Sequence, residues 1–167
     1  GDVYKRQAPM SADGHVNLSP KGLDSFAILD PETVAYADLV GSGIETIAHL
    51  RENGRIVIMF CAFEGPPKIL RMHGRGEWIG QGEAGFEELL SLFSPGLDGA
   101  RAIVRVKVHR IADSCGFGVP QYVFEGDRKQ LARWAGQKGD EGLRAYVKKN
   151  NRSSIDGLPG ILVEPPP

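Results

Sequence analysis

The sequence predicts a mainly β fold, a small antiparallel barrel with helices inserted and placed at its periphery. Two observations carry this. Five to seven apolar or alternating runs are joined by hairpin-like turns, and the helical runs sit among them rather than alternating strand by strand. No P-loop is present to open a phosphate-binding α/β unit. A chain of 167 residues suits one domain with a real core, or one subunit of an oligomer.

The elements follow in order. Gly1–Gln7 carries no clear periodicity and reads as a truncated or non-native lead, so the domain is expected to span 8–160, with 161–167 a Pro-rich tail. Asp13-Gly14 is a hairpin signal between a strand stub at Ala8–Ser11 and a strand at His15–Leu18. Ser19-Pro20-Lys21-Gly22 should break that strand, because proline cannot donate to a ladder. Phe26–Leu29 and Thr33–Asp38 are further short strands, and a helix should run from about Ile44 to Asn53, ending at Gly54. Arg55–Phe63 is continuously apolar, as expected of a strand buried on both faces. In Lys68–Ile79, Leu70 and Met72 face one way and Arg71, His73 and Arg75 the other, with Gly74 and Gly76 marking a bulge or bend. Glu83–Phe93 reads as helix, ended by Ser94-Pro95-Gly96. Arg101–Ile111 alternates cleanly, with Val104, Val106 and Val108 inward and Arg105, Lys107 and His109 outward. A glycine-rich loop at Ser114–Pro120 precedes two helices, about Asp127–Lys138 and Asp140–Lys149, and an extended end from Ser154.

The turn Gly41-Ser42-Gly43 at the start of the first helix has two readings. A helix N-terminus presents unpaired N–H groups and a positive dipole end, which can hold an anion such as phosphate. Ser42 and Glu45 also have the S-x-x-E spacing of a capping box.

Composition narrows the function classes. The chain is 41% hydrophobic and 25% charged, with a net charge of −1, so nothing global favours nucleic acid or an acidic membrane. No apolar run approaches the ~20 residues of a membrane span, and the cytoplasm is the expected compartment. Cys61 and Cys115 form no C-x-x-C, and His15, His49, His73 and His109 are scattered, so no metal site is expected. Glu45 and His49 are i, i+4 on one helix, a catalytic dyad or, more simply, a surface pair. The rows Arg71, His73, Arg75 and Arg105, Lys107, His109 would form a positive stripe suited to RNA if adjacent, or a solvated face balanced by acids.

Several stretches together resemble the pyridoxamine 5′-phosphate oxidase-like family, in particular a bacterial subgroup distinct from the vitamin B6 enzyme itself. They are G-H-V-N-L-S-P-K-G (Gly14–Gly22), T-V-A-Y-A-D-L-V-G-S-G-I-E-T-I-A-H-L (Thr33–Leu50) and I-M-F-C-A-F-E-G-P-P-K-I-L-R (Ile58–Arg71). S-C-G-F-G-V-P (Ser114–Pro120) and S-I-D-G-L-P-G (Ser154–Gly160) complete the set. The resemblance implies a six-stranded split barrel that forms a homodimer, with FMN in a groove between subunits and a small-molecule redox substrate. A deazaflavin or haem in place of FMN, on a non-catalytic binding protein, is the alternative. The resemblance places the FMN phosphate at Asn17, Ser19, Lys21, Ser42, Gly43, Glu45 and Thr46, and the flavin ring near Ala37 and Asp38. The loop with Cys115 would come from the second subunit. No catalytic residue is implied. Glu45 stands where the vitamin B6 oxidases are basic, which argues against pyridoxamine phosphate as the substrate.

Overall fold

The computed structural model describes residues 3–7, 13–93, 97 and 99–162. Seven strands form one antiparallel sheet: β1 (Val3–Gln7), β2 (Asn17–Lys21), β3 (Phe26–Asp30), β4 (Thr33–Leu39), β5 (Arg55–Cys61), β6 (Ile69–Gly80) and β7 (Ala100–Ser114). Their spatial order is β2-β1-β5-β6-β7-β4-β3. The sheet curls until its ends approach, so that Lys21 on β2 reaches Asp38 on β4 at 3.4 Å. Helix α1 (Glu45–Asn53) packs against β1, β2, β5 and β6, α2 (Phe86–Leu90) packs against β7, and α3 (Gln130–Asn150) follows near the C-terminus. This is a split barrel with peripheral helices.

Alternation along the strands builds two apolar layers. Val34, Tyr36, Ile56, Ile58, Val104 and Val106 fill the barrel with Leu50 of α1. The opposite face of β4 and β7 puts Ala35, Ala37 and Ile103 against Phe86 of α2, Phe93 and Leu97. β4 and the first five residues of β7 are therefore buried on both faces. The expected candidate, the Arg55–Phe63 run, instead alternates, with Ile56 and Ile58 buried and Val57 and Met59 only partly so. Neither α2 nor α3 is among the elements packed against β5.

Other differences have local causes. The sheet begins at Val3, ahead of residue 8, because Val3–Gln7 pairs with both β2 and β5. The expected stub Ala8–Ser11, the Ser94-Pro95-Gly96 stop and the tail beyond residue 162 lie outside the described residues. The strand after the hairpin runs through Pro20 instead of breaking before it. Its position at the sheet edge, paired only with β1, means the missing N–H costs no ladder bond. Helix α2 is shorter than Glu83–Phe93, since Gly82 and Gly85 take φ of 89° and 86° and delay its start. Gly80–Gly85 spells G-x-G-x-x-G, yet it joins antiparallel strands through a helix of 5 residues and so lacks the βαβ context of a dinucleotide site. The two expected C-terminal helices are both present within α3, divided at Gly139, whose φ of 63° and ψ of 176° are not helical.

The bulge is where the glycines placed it. The β6–β7 register shifts between His73 and Gly74. A Cβ at Gly74 would lie 2.5 Å from Val106 Cγ1 and 2.6 Å from the Lys107 carbonyl oxygen. Gly74→Ala is expected to cost about 1–3 kcal/mol, because the backbone oxygen cannot step aside. Urea unfolding measures it, and a midpoint equal to the parent's would refute this close approach.

Candidate functional site

The site forms where β2, the end of β4, the 40–44 turn, the first turn of α1 and the start of β7 meet. Its foundation is a buried charge cluster. Asp38, 1% exposed, accepts a hydrogen bond from Arg101 Nε at 2.9 Å. The same guanidinium donates from Nη1 to the Gly41 carbonyl (3.2 Å) and Asn151 Oδ1 (2.8 Å), and from Nη2 to the Gly43 carbonyl (2.7 Å). Asn151 Nδ2 adds a bond to the Gly41 carbonyl at 2.9 Å. Arg101 thus spends two of the four bonds of its planar fork on holding the turn's carbonyls inward, and the other two on Asp38 and Asn151.

Above this base, a cavity of about 230 Å³ gathers Asn17, Ser19, Lys21, Asp38, Gly43, Glu45 and Thr46, seven of the ten residues implicated by sequence. Lys21 Nζ donates to Ser19 Oγ at 2.7 Å and lies 3.4 Å from Asp38 Oδ1, leaving its third N–H for a ligand. Asn17 Nδ2 donates to Thr46 Oγ1 at 3.0 Å, which ties β2 to α1. An ammonium, two hydroxyls and an amide beside a helix N-terminus make a donor set that fits a phosphate.

Three expected residues are placed elsewhere. Ala37 is fully buried on the other face of β4, because neighbouring residues of a strand point to opposite sides. Ser42 is exposed and does not line the cavity, and Cys115 lies exposed in the loop after β7.

The capping box does not form. Ile44 is the N-cap residue, with no side-chain cap bond, and Glu45 Oε1 instead accepts from the Ile155 N–H at 3.3 Å. Nor are Glu45 and His49 a surface pair. His49 is 0% exposed, its ring nitrogens lack hydrogen-bond partners among the described residues, and burial lowers its pKa. The two basic rows do become neighbours, as β6 pairs with β7. Acids pair with the β7 row at two positions, Arg105 with Glu77 at 2.6 Å and Lys107 with Glu32 at 2.7 Å, while on β6 Arg71 bonds Ser114 and Arg75 the Asn53 carbonyl.

Sequence reasoning missed Arg101 and Asn151. Arg101 shares its strand parity with exposed Arg105 and Lys107, so alternation pointed it outward. Asn151 follows the last residue of α3 with no motif around it. Among the described residues no helix is long and apolar enough to cross a membrane. No group of three His, Cys, Asp or Glu is placed among them to hold a metal.

Fold and cavity together define a split-barrel protein with a polar pocket where β2, β4 and α1 meet. No family model matches the chain. It is 41% identical over 165 residues to the pyridoxamine 5′-phosphate oxidase family protein ustO of Aspergillus flavus, covering 88% of this chain and 66% of that protein. The chain thus spans about two thirds of that curated relative's length. Among solved structures it is similar to HupZ of Group A Streptococcus (TM-score 0.51, 21% identity, 68% of this chain and 85% of that one). A candidate pyridoxamine 5′-phosphate oxidase from Lactobacillus delbrueckii is similar too (TM-score 0.50, 18% identity, 66% and 83%), and these two likenesses concern the fold. The chain belongs to the pyridoxamine 5′-phosphate oxidase family.

Proposed function

We propose that this protein binds FMN as a homodimer and serves as a flavin-dependent oxidoreductase for a small molecule. The observation that carries the reading is the convergence of Asn17, Ser19, Lys21 and Thr46 from separate elements into one cavity. In this reading Lys21 supplies charge to the phosphate, Ser19 and Thr46 supply hydroxyls, and Asn17 holds Thr46 in place. Bound FMN would supply the hydride or electron chemistry, and the chain would bind and orient it.

A cavity of about 230 Å³ is smaller than the ~300–1,000 Å³ of typical cofactor sites, so it suits the phosphate end and leaves the ring to be covered by something else. A second copy is the proposed cover. The segment after β7 exposes Phe117 (82%), Val123 (85%) and Phe124 (70%), apolar surface of the kind that marks an interface. Cys115 lies in the same segment.

The absorption spectrum of the purified protein, followed by FMN titration, tests this. Flavin bands, or a rise in melting temperature with added FMN, are expected. A colourless protein indifferent to FMN would dismiss the reading, and a Soret band would point to haem. Reduction of the bound flavin by a nicotinamide cofactor, with turnover on an acceptor, separates an enzyme from a flavin carrier. Sedimentation of a monomer with flavin bound would remove the dimer.

A further inference from the structure

After α3 the chain does not trail away. Residues 151–161 fold into a compact strap across the start of α1. The strap is internally bonded: Ser154 N–H donates to the Leu158 carbonyl at 2.9 Å, Gly160 N–H to the Arg152 carbonyl at 2.8 Å, and Ser153 bridges Pro159. Asn151 anchors its start through Arg101 and the Gly41 carbonyl, and three further contacts clip it to the barrel. His15 donates its backbone N–H to Asp156 Oδ2 at 2.9 Å, and its Nδ1 lies 2.6 Å from Asp156 Oδ1. Arg51 Nη1 donates to the Gly160 carbonyl at 2.9 Å. The third contact is the Ile155 N–H to Glu45 Oε1.

That third clip touches the cavity wall. Glu45 lines the pocket. Its carboxylate lies folded back over the turn, where a Cβ on Gly43 would come within 2.6 Å of Oε2. The missing side chain at Gly43 and the strap's N–H therefore hold Glu45 together. Glu45 and Lys21 form no ion pair in this arrangement. Asp38 is shared between Arg101 beneath the pocket (2.9 Å) and Lys21 beside it (3.4 Å), so the second carboxylate of the lining, Glu45, tips whether an anion is favoured. A carboxylate free to turn toward Lys21 would take the place of a phosphate.

We propose that Glu45 is the charge selector of this cavity and that the C-terminal strap, clipped to His15 through Asp156, sets its position. With the strap seated, Glu45 stays at the turn and the pocket accepts an anion. With the strap released, Glu45 competes for Lys21 and the anion is excluded. Anion binding and strap seating are then reciprocally coupled. The inference rests on the reading that the pocket takes the phosphate of FMN.

The test uses the full chain, with Asp156→Ala to undo the clip and Glu45→Gln to remove the charge. Hydrogen exchange at Ile155, Leu158 and Gly160 reports the strap, and titrations with FMN and with riboflavin, which lacks the phosphate, report the pocket. Asp156→Ala is expected to speed strap exchange and weaken FMN binding by at least about fivefold, leaving riboflavin unchanged. Adding Glu45→Gln should restore FMN affinity while the strap stays open. The proposal is overturned if the strap opens with FMN affinity unchanged, or if the double variant remains weak. Should Asp156→Ala fail to fold, His15→Ala loosens the same clip from the other side and is read in the same way. A parent protein that binds inorganic phosphate but not FMN overturns the FMN reading alone, and the comparison is then made with phosphate. Binding of neither overturns both.

Discussion

Arg101→Ala is expected to destabilise the protein by about 3–5 kcal/mol, the usual cost of breaking a buried ion pair by removing one partner. The reason lies in what remains. Asp38 would keep its charge at 1% exposure without its guanidinium, with Lys21 at a longer 3.4 Å. The carbonyls of Gly41 and Gly43 would lose their guanidinium donors, and Asn151 would lose the partner of its Oδ1. For a chain of this length each kcal/mol moves the melting temperature by roughly 2–4 °C, so a fall of about 6–20 °C should be seen. Arg101→Lys should recover part of it, since lysine restores the charge but not the planar fork. A loss below about 1 kcal/mol in Arg101→Ala would mean that the cluster does not hold the turn.

Lys21→Ala acts on binding first. A hydrogen bond to a charged group is worth about 1.5–3 kcal/mol, so FMN affinity should fall roughly 10- to 150-fold. The loss should sit at the upper end, because Asp38 would then face the pocket with less of its charge offset. Riboflavin binding should change little. Lys21→Arg should retain most of the affinity, while Ser42→Ala, outside the pocket, should match the parent. Fluorescence quenching of the free flavin on binding is a sufficient measurement. Equal loss for FMN and riboflavin would show that Lys21 supports the fold of the pocket rather than the phosphate.

The strands that alternate or end in strong turns were legible because their signal is local. Thr33–Leu39, the α1 stop at Gly54 and the bulge at Gly74 each follow from side-chain period or from a residue's φ. The Val3–Gln7 strand was not legible. Its place comes from pairing with β2 and with β5, which is far along the chain. Pro20 misled for a similar reason, since its cost depends on whether the strand is central or at the edge, and sheet order decides that. At the site, the β2 and α1 residues were found through the family resemblance, which rests on the stretches Gly14–Gly22 and Thr33–Leu50. Glu45 was given to a capping box because the partner that takes its carboxylate, Ile155, is 110 residues away.

The sequence by itself therefore determined the mainly β class, most of the segments that become strands and helices, and the two short stretches that supply the pocket. The class and the segments are properties of neighbours along the chain, read through periodicity and turn chemistry, while the stretches that supply the pocket were marked by the family resemblance. Tertiary structure alone decided that Arg101 points inward beneath the turn, that His49 is buried and that the chain end becomes a strap. The physical reason is the same in each case. Burial and charge pairing depend on which distant segment closes over a residue, and at β7, α1 and the Gly41–Gly43 turn those segments come from the far end of the chain.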